Sequence, residues 1–117
     1  MKILIVEDNA IISMELKSTL VSAGFEVIGI AKSSQKALEL AEKDPPDAVL
    51  MDVDIKGDVN GVQTASLLNE RMGFALFYLT GNNTLKGNQD ALNTNPKAFI
   101  SKPINSQYLI NVLKDIS

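Results

Sequence analysis

The chain of 117 residues contains neither cysteine nor histidine. Without cysteine it can form no disulfide, and it offers neither a thiolate nucleophile nor a sulfur ligand for zinc. Without histidine it lacks an imidazole base and an imidazole metal ligand, so any metal must be held by oxygen. Long apolar runs are missing as well. The stretch MKILIVEDN is far too short for a signal peptide. No later segment approaches the roughly 20 apolar residues that a membrane span requires. Positive charge is neither abundant nor gathered: 11 Lys and Arg stand against 14 Asp and Glu, a net charge of -3. With the basic residues scattered, a nucleic-acid surface has no electrostatic footprint. The expectation is a cytoplasmic protein with no membrane association and no direct nucleic-acid binding. Its length suits one domain, residues 1–117, with one core and one site.

What is present is alternation. Short runs rich in Val, Ile, Leu or Phe predict strands over Lys2–Val6, Glu26–Ile30, Ala48–Met51, Ala75–Leu79 and Ala98–Ile100. Between them lie segments of helical period. Ile12, Leu16, Leu20 and Ala23 share one face, with Gly24 placed to stop the helix in a left-handed conformation. Ser33 or Ser34 can cap a second helix bearing Ala37, Leu38 and Ala41, which ends at Asp44-Pro45-Pro46. A third starts near Gly61 and carries Val62, Ala65, Leu68 and Met72. Asn105 or Ser106 can cap a last helix with Leu109, Ile110 and Leu113. The fourth helical segment, TGNNTLKGNQDALNTNP, is dense in Asn and Gly and has only Leu85, Ala91 and Leu92 as apolar anchors. It is expected to be short, irregular or mobile.

Five strand-helix units predict a parallel α/β sheet covered on both faces. Such a sheet places its ligand site beyond the carboxyl ends of the strands, where strand order reverses. The residues there are Glu7 and Asp8 after the first strand, Asp52 and Asp54 after the third, Thr80 after the fourth and Lys102 after the fifth. A crevice holding up to four carboxylates would raise its own pKa values unless a cation were present, and magnesium suits an all-oxygen set. Asp8 and Asp52 fit as direct ligands, with Glu7 acting through water. A carboxylate beside the metal can also serve as a nucleophile toward phosphorus, with Lys102 and the Thr80 hydroxyl placed to neutralise or bind phosphoryl oxygens. Taken singly these residues have ordinary explanations. Asp8 or Asn9 could cap a helix, Asp54, Lys56 and Asp58 could form a solvated loop, Thr80-Gly81 could be a turn, and Lys102 could be a surface lysine. Their joint placement at successive strand ends makes the ordinary explanations improbable.

The stretches ILIVEDN, PDAVLMDVDIKGDVNG, FYLTG and KAFISKPI, in that order, make the whole chain resemble the receiver domains of bacterial response regulators. The resemblance implies a flavodoxin-like, doubly wound, five-stranded parallel sheet in the order 2-1-3-4-5. It implies that Asp52 takes a phosphoryl group from a phosphohistidine on a partner sensor histidine kinase or phosphotransfer protein, with magnesium held by Glu7, Asp8, Asp52 and the Asp54 backbone carbonyl. Because the chain has no His, the donor must be another molecule or domain. Thr80 and Phe99 match the family's switch positions, and the Lys102-Pro103 bond is expected to be cis. The output would be a downstream effector protein or domain, or a phosphorylation-dependent dimer. The start at MKILIVEDN favours an N-terminal receiver within a longer protein.

Two positions depart from the commonest family pattern. Asp54 is acidic where the family uses the backbone carbonyl, and its side chain is expected to alter dephosphorylation or metal affinity. Gly81 follows Thr80 where alanine is frequent, which could loosen the switch loop. Two other functions compete. The pair Asp52-x-Asp54 also resembles the aspartate-nucleophile phosphatases of the haloacid-dehalogenase type, in which Asp54 would be the general acid/base. Against that stand the position of the pair on the third strand, the Lys-Gly that follows and the lack of room for a cap domain. An unphosphorylated pseudo-receiver, serving as an interaction module, is disfavoured because all of Glu7, Asp8, Asp52, Thr80 and Lys102 are present.

Overall fold

The computed structural model describes residues 1–55, 59–81 and 88–116. Lys56, Asp58 and Leu85 of the sequence expectations lie outside the described residues. The elements run β1 Lys2–Val6, α1 Ala10–Ser22, β2 Glu26–Ala31, α2 Ser34–Lys43, β3 Ala48–Asp52, α3 Gly61–Asn69, β4 Ala75–Thr80, α4 Gln89–Leu92, β5 Ala98–Ser101 and α5 Ser106–Ile116. The strands form one parallel sheet in the order β2-β1-β3-β4-β5.

Alternation along each strand sorts the core into two layers. Leu4, Val6, Val49, Met51, Leu76 and Tyr78 point to one face, where Ala37 and Ala41 of α2, Ala65 and Leu68 of α3 and Ala91 of α4 cover them. Ile3, Ile5, Leu50, Phe77, Leu79 and Ile100 point to the other, against Leu16 and Leu20 of α1 and Leu109 and Leu113 of α5. Consecutive residues are therefore buried on opposite sides, which is why the central strand β3 is buried at every position.

Helix boundaries follow local chemistry. The side-chain oxygens of Asn9, Ser33, Asn60 and Asn105 accept from the backbone N–H three residues on, at 3.0, 3.2, 2.9 and 2.9 Å, so asparagine and not Asp8 caps α1. Asn60 and Gln63 complete a reciprocal capping box at α3. Gly24, at φ +91°, ends α1 as anticipated. The last four strands each reach one residue beyond the apolar run that predicted them. Ladder pairing continues through the polar positions, with Asp52 opposite Leu79 and Thr80 opposite Ser101. The described part of the fourth helix is four residues long, in keeping with its few apolar anchors.

The corner where α4 meets β5 is tied to the sheet from below. The Tyr78 hydroxyl lies 2.6 Å from the Thr94 hydroxyl, which is 2.5 Å from the Ala91 carbonyl, while the Asn69 amide donates to the Thr94 carbonyl at 3.0 Å. Since the Thr94 hydrogen goes to that carbonyl, Tyr78 is the donor. The Tyr78 ring also stacks on Phe99 of the neighbouring strand, with centroids 5.5 Å apart and planes 22° from parallel.

Among the described glycines Gly61 makes the tightest approach. Its N–H donates to the Val53 carbonyl at 3.2 Å, and a Cβ at this position would lie 2.2 Å from the Asp52 carbonyl oxygen and 2.7 Å from Val53 Cα. Both obstacles are backbone, so no rotamer change relieves them. Gly61→Ala is expected to cost about 3 kcal/mol of stability, the upper part of the overpacking range, as a lowered urea midpoint. A loss below about 0.5 kcal/mol, the size of a neutral surface change, would contradict this account of the contact.

Candidate functional site

β1 and β3 are neighbours, but the chain leaves them for opposite sides of the sheet, which opens a crevice beyond their carboxyl ends. Glu7 follows the last residue of β1 and Asp52 is the last residue of β3. Both are almost wholly buried, at 1% and 2% exposure, and Asp8 is half-buried beside them. One carboxylate oxygen from each of Glu7, Asp8 and Asp52 lies within 4.8 Å of the others. Backbone N–H groups hold two of the three: Asn9 donates to Glu7 Oε1 at 3.1 Å and Asp54 donates to Asp52 Oδ1 at 3.0 Å. The turns after the two strands thus aim the acids as well as redirect the chain.

Lys102, from the loop after β5, supplies the compensating charge. Its Nζ lies 3.1 Å from Glu7 Oε2 and 3.3 Å from Asp52 Oδ1. Burial pushes the Glu7 carboxyl above the usual glutamate range, and Asp52 adds to this; the Lys102 and Asn9 hydrogen bonds pull the other way without cancelling it. For Lys102, burial works to lower the ammonium pKa, but the bond to Glu7 and the charge of Asp52 outweigh it and hold the group above the ordinary lysine value. Among the described residues Lys102 pairs with Glu7 and Asp52, and with Asp8 beside them the cluster holds an excess of acidic groups in a poorly solvated place. An all-oxygen donor set with that excess fits a small hard cation such as magnesium, which takes one or two carboxylates and fills its remaining positions with water and phosphate oxygens.

The other predicted residues sit around this cluster with different standing. Thr80 is the last residue of β4, buried, one step beyond the Leu79 that pairs with Asp52. Asp54 does not join the acid cluster. Its side chain is exposed and lines, with Val53, Thr80 and Asn88, a groove of about 770 Å³ between α3 and α4. Among the described residues the crevice gathers three carboxylates of the up to four envisaged, because Asp54 lies past the end of the strand. Phe99 is half-buried and its ring faces Tyr78. The Lys102-Pro103 peptide is cis.

Three contributions escaped the sequence. Asn9, anticipated as a helix cap, also donates to Glu7. Gly61 lets α3 press against the backbone carrying Asp52, although the pattern Asn60-Gly61 signalled no more than a helix start. Tyr78 read as one apolar residue of FYLT, and nothing in the sequence announced Thr94 as its partner.

Residues 3–114 match the family model described as the response regulator receiver domain. The transcriptional regulatory protein PdtaR of Mycobacterium tuberculosis is 32% identical over 113 residues, which cover 97% of this chain and 55% of that protein. The chain thus spans about half the length of that relative. The chemotaxis protein CheY of Bacillus subtilis is 28% identical over 96% of this chain and 93% of its own length. Among solved structures, the signal receiver domain of a modulated diguanylate cyclase from Desulfovibrio desulfuricans G20 superimposes with a TM-score of 0.89 at 27% identity, over 97% of this chain and 90% of that one. A CheY-like response regulator receiver domain protein from Methanospirillum hungatei JF-1 gives a TM-score of 0.87 at 28% identity, over 98% and 91%. With the flavodoxin-like strand order and the family match along nearly its whole length, this chain belongs to the response regulator receiver domain family, the signalling domain of two-component systems.

Proposed function

We propose that the chain is a phosphoacceptor receiver in which Asp52 takes a phosphoryl group from a phosphohistidine on a partner sensor kinase or phosphotransfer protein. The observation that carries the proposal is the buried cluster, with Asp52 Oδ1 3.3 Å from the Lys102 ammonium and one oxygen each of Glu7, Asp8 and Asp52 within 4.8 Å. A carboxylate oxygen of Asp52 attacks phosphorus. The O–P bond forms as the P–N bond to the donor breaks; the electron pair of that bond goes to the imidazole nitrogen, and the ring leaves as neutral imidazole because its other nitrogen keeps a proton or the departing nitrogen gains one from solvent. Asp8, Asp52 and the Asp54 backbone carbonyl would hold magnesium directly, with Glu7 acting through water; when bound, the metal supplies neutralisation of phosphoryl oxygens. Lys102 offers its ammonium to the same oxygens, and Thr80 offers a hydroxyl hydrogen bond that draws it toward the new group. Phe99 follows, and the face bearing α4, β5 and α5 changes for a cytoplasmic effector protein or domain.

This is stoichiometric chemistry and not turnover. Acetyl phosphate with magnesium is expected to add one phosphoryl group to the native chain by mass, and none to Asp52→Asn or to the native chain in chelator. Steady hydrolysis of a phosphate ester would favour an aspartate-nucleophile phosphatase, and no incorporation would favour an interaction module that is never phosphorylated.

The exposed Asp54 carboxylate lies two residues past the acceptor, and its charge is proposed to alter dephosphorylation. Asp54→Ala is expected to lengthen the phosphorylated lifetime by about twofold to fivefold, the influence of an exposed charge. An unchanged lifetime would remove its side chain from the mechanism.

The donor's approach is supported by α1. Ile11 and Met14 are 72% and 61% exposed, one turn apart and just past Asp8. Elsewhere on the same helix Ile12, Glu15, Leu16 and Thr19 line a cavity of about 180 Å³ shared with Pro103 and Leu109. An apolar face bordering the acceptor suits a helix of the phosphohistidine-bearing partner. Ile11→Asp is expected to slow transfer from a phosphorylated histidine phosphotransfer domain by roughly tenfold, as for a moderate hot spot, while acetyl phosphate labelling is unchanged. Equal rates from the phosphoprotein would exclude this face.

A further inference from the structure

Tyr78 raises a question that packing does not answer. A phenylalanine would fill the same space under α4, yet the chain buries a hydroxyl there, which is costly unless bonded. The bond it makes is to Thr94, which follows the Asn93 cap of α4. The Thr94 hydroxyl and N–H both reach the Ala91 carbonyl, at 2.5 and 3.1 Å, and the Thr94 carbonyl receives the Asn69 amide of α3. On its other side Tyr78 stacks on Phe99, and along β4 it shares a face with Thr80, two residues on. One side chain therefore touches the aromatic of β5, the last turn of α4 and, through the strand, the buried threonine beside the acceptor.

We propose that the Tyr78–Thr94 hydroxyl pair is a latch that makes α4 move with the Tyr78–Phe99 aromatic stack, so that a change at Thr80 reaches the α4 surface. The latch rests on the phosphoacceptor function proposed for Asp52, whose output it would carry. α4 is suited to such control because its described helix is a single short turn. Its position depends on contacts made from outside: Asn88 capping Ala91 at 3.1 Å, the Thr94 bonds, and burial of the Ala91 side chain. Removing the Tyr78 hydroxyl leaves the Thr94 oxygen with a vacant acceptor position and frees the corner from the sheet, while the stack on Phe99 remains. Movement of the ring would then no longer drag the helix.

Amide hydrogen exchange at Leu92, Asn93 and Thr94 reads the latch directly, because these N–H groups bond to Asn88, Gln89 and Ala91 within the same turn. The comparison uses native protein, Tyr78→Phe and Thr94→Val, each with and without beryllofluoride and magnesium as the phosphoryl mimic. In the native protein the mimic is expected to change exchange at these amides. In both variants basal exchange is expected to be roughly five- to tenfold faster, and the response to the mimic largely lost. Labelling of Asp52 by acetyl phosphate should stay within about twofold of native, since neither side chain belongs to the cluster. Native protein that binds the mimic without a response at these amides would overturn the latch, as would a native-sized response surviving in both variants. Native protein that neither binds the mimic nor takes up phosphoryl would overturn the acceptor function itself, and the latch with it.

Discussion

The Lys102 ammonium lies between Glu7 and Asp52, at 3.1 and 3.3 Å, and the rest of the site is organised around holding those two buried carboxyl groups close together. Two buried carboxylates without a cation would repel one another, and the cheaper outcome would be protonation or opening of the crevice. Lys102 offsets part of that repulsion from the far edge of the sheet, since it follows β5 whereas the acids follow β1 and β3. The interaction thus links three strand ends, and it depends on the sheet order that brings them together.

The backbone does as much as the side chains. Asn9 and Asp54 turn their N–H groups onto Glu7 and Asp52, so each acid is aimed by the loop that follows its own strand. Gly61 allows α3 to start against the carbonyl of Asp52 itself, which leaves β3 little freedom to shift. An acid held this firmly on a rigid element, with its counter-charge on a separate loop, suits chemistry in which one group must stay fixed while its surroundings rearrange.

The α4 side of the molecule is built on a different principle. α1 and α5 bury pairs of leucines against the sheet, whereas the described turn of α4 contributes Ala91 and is held largely by polar bonds at Asn88 and Thr94.

Much of this was legible in the chain, since five short apolar runs separated by helical periods specify a parallel sheet and the carboxyl-end rule then gathers Glu7, Asp8, Asp52, Thr80 and Lys102. The absence of histidine and cysteine determined the oxygen chemistry of the site without reference to any coordinates. The strand ends were read short because apolar runs stop at Asp52, Thr80 and Ser101 while backbone pairing, which does not depend on side-chain polarity, continues through them. That the Asp54 side chain leaves the acid cluster was not readable from spacing, because two residues of spacing place both side chains on one face only while the strand persists. The strand ends at Asp52, and Asp54 turns outward. Tertiary structure alone decided that Gly61 abuts the Asp52 carbonyl and that Tyr78 donates to Thr94. Both are contacts across loops, set by how layers pack, and a one-dimensional pattern records which residues are apolar but not which surfaces meet.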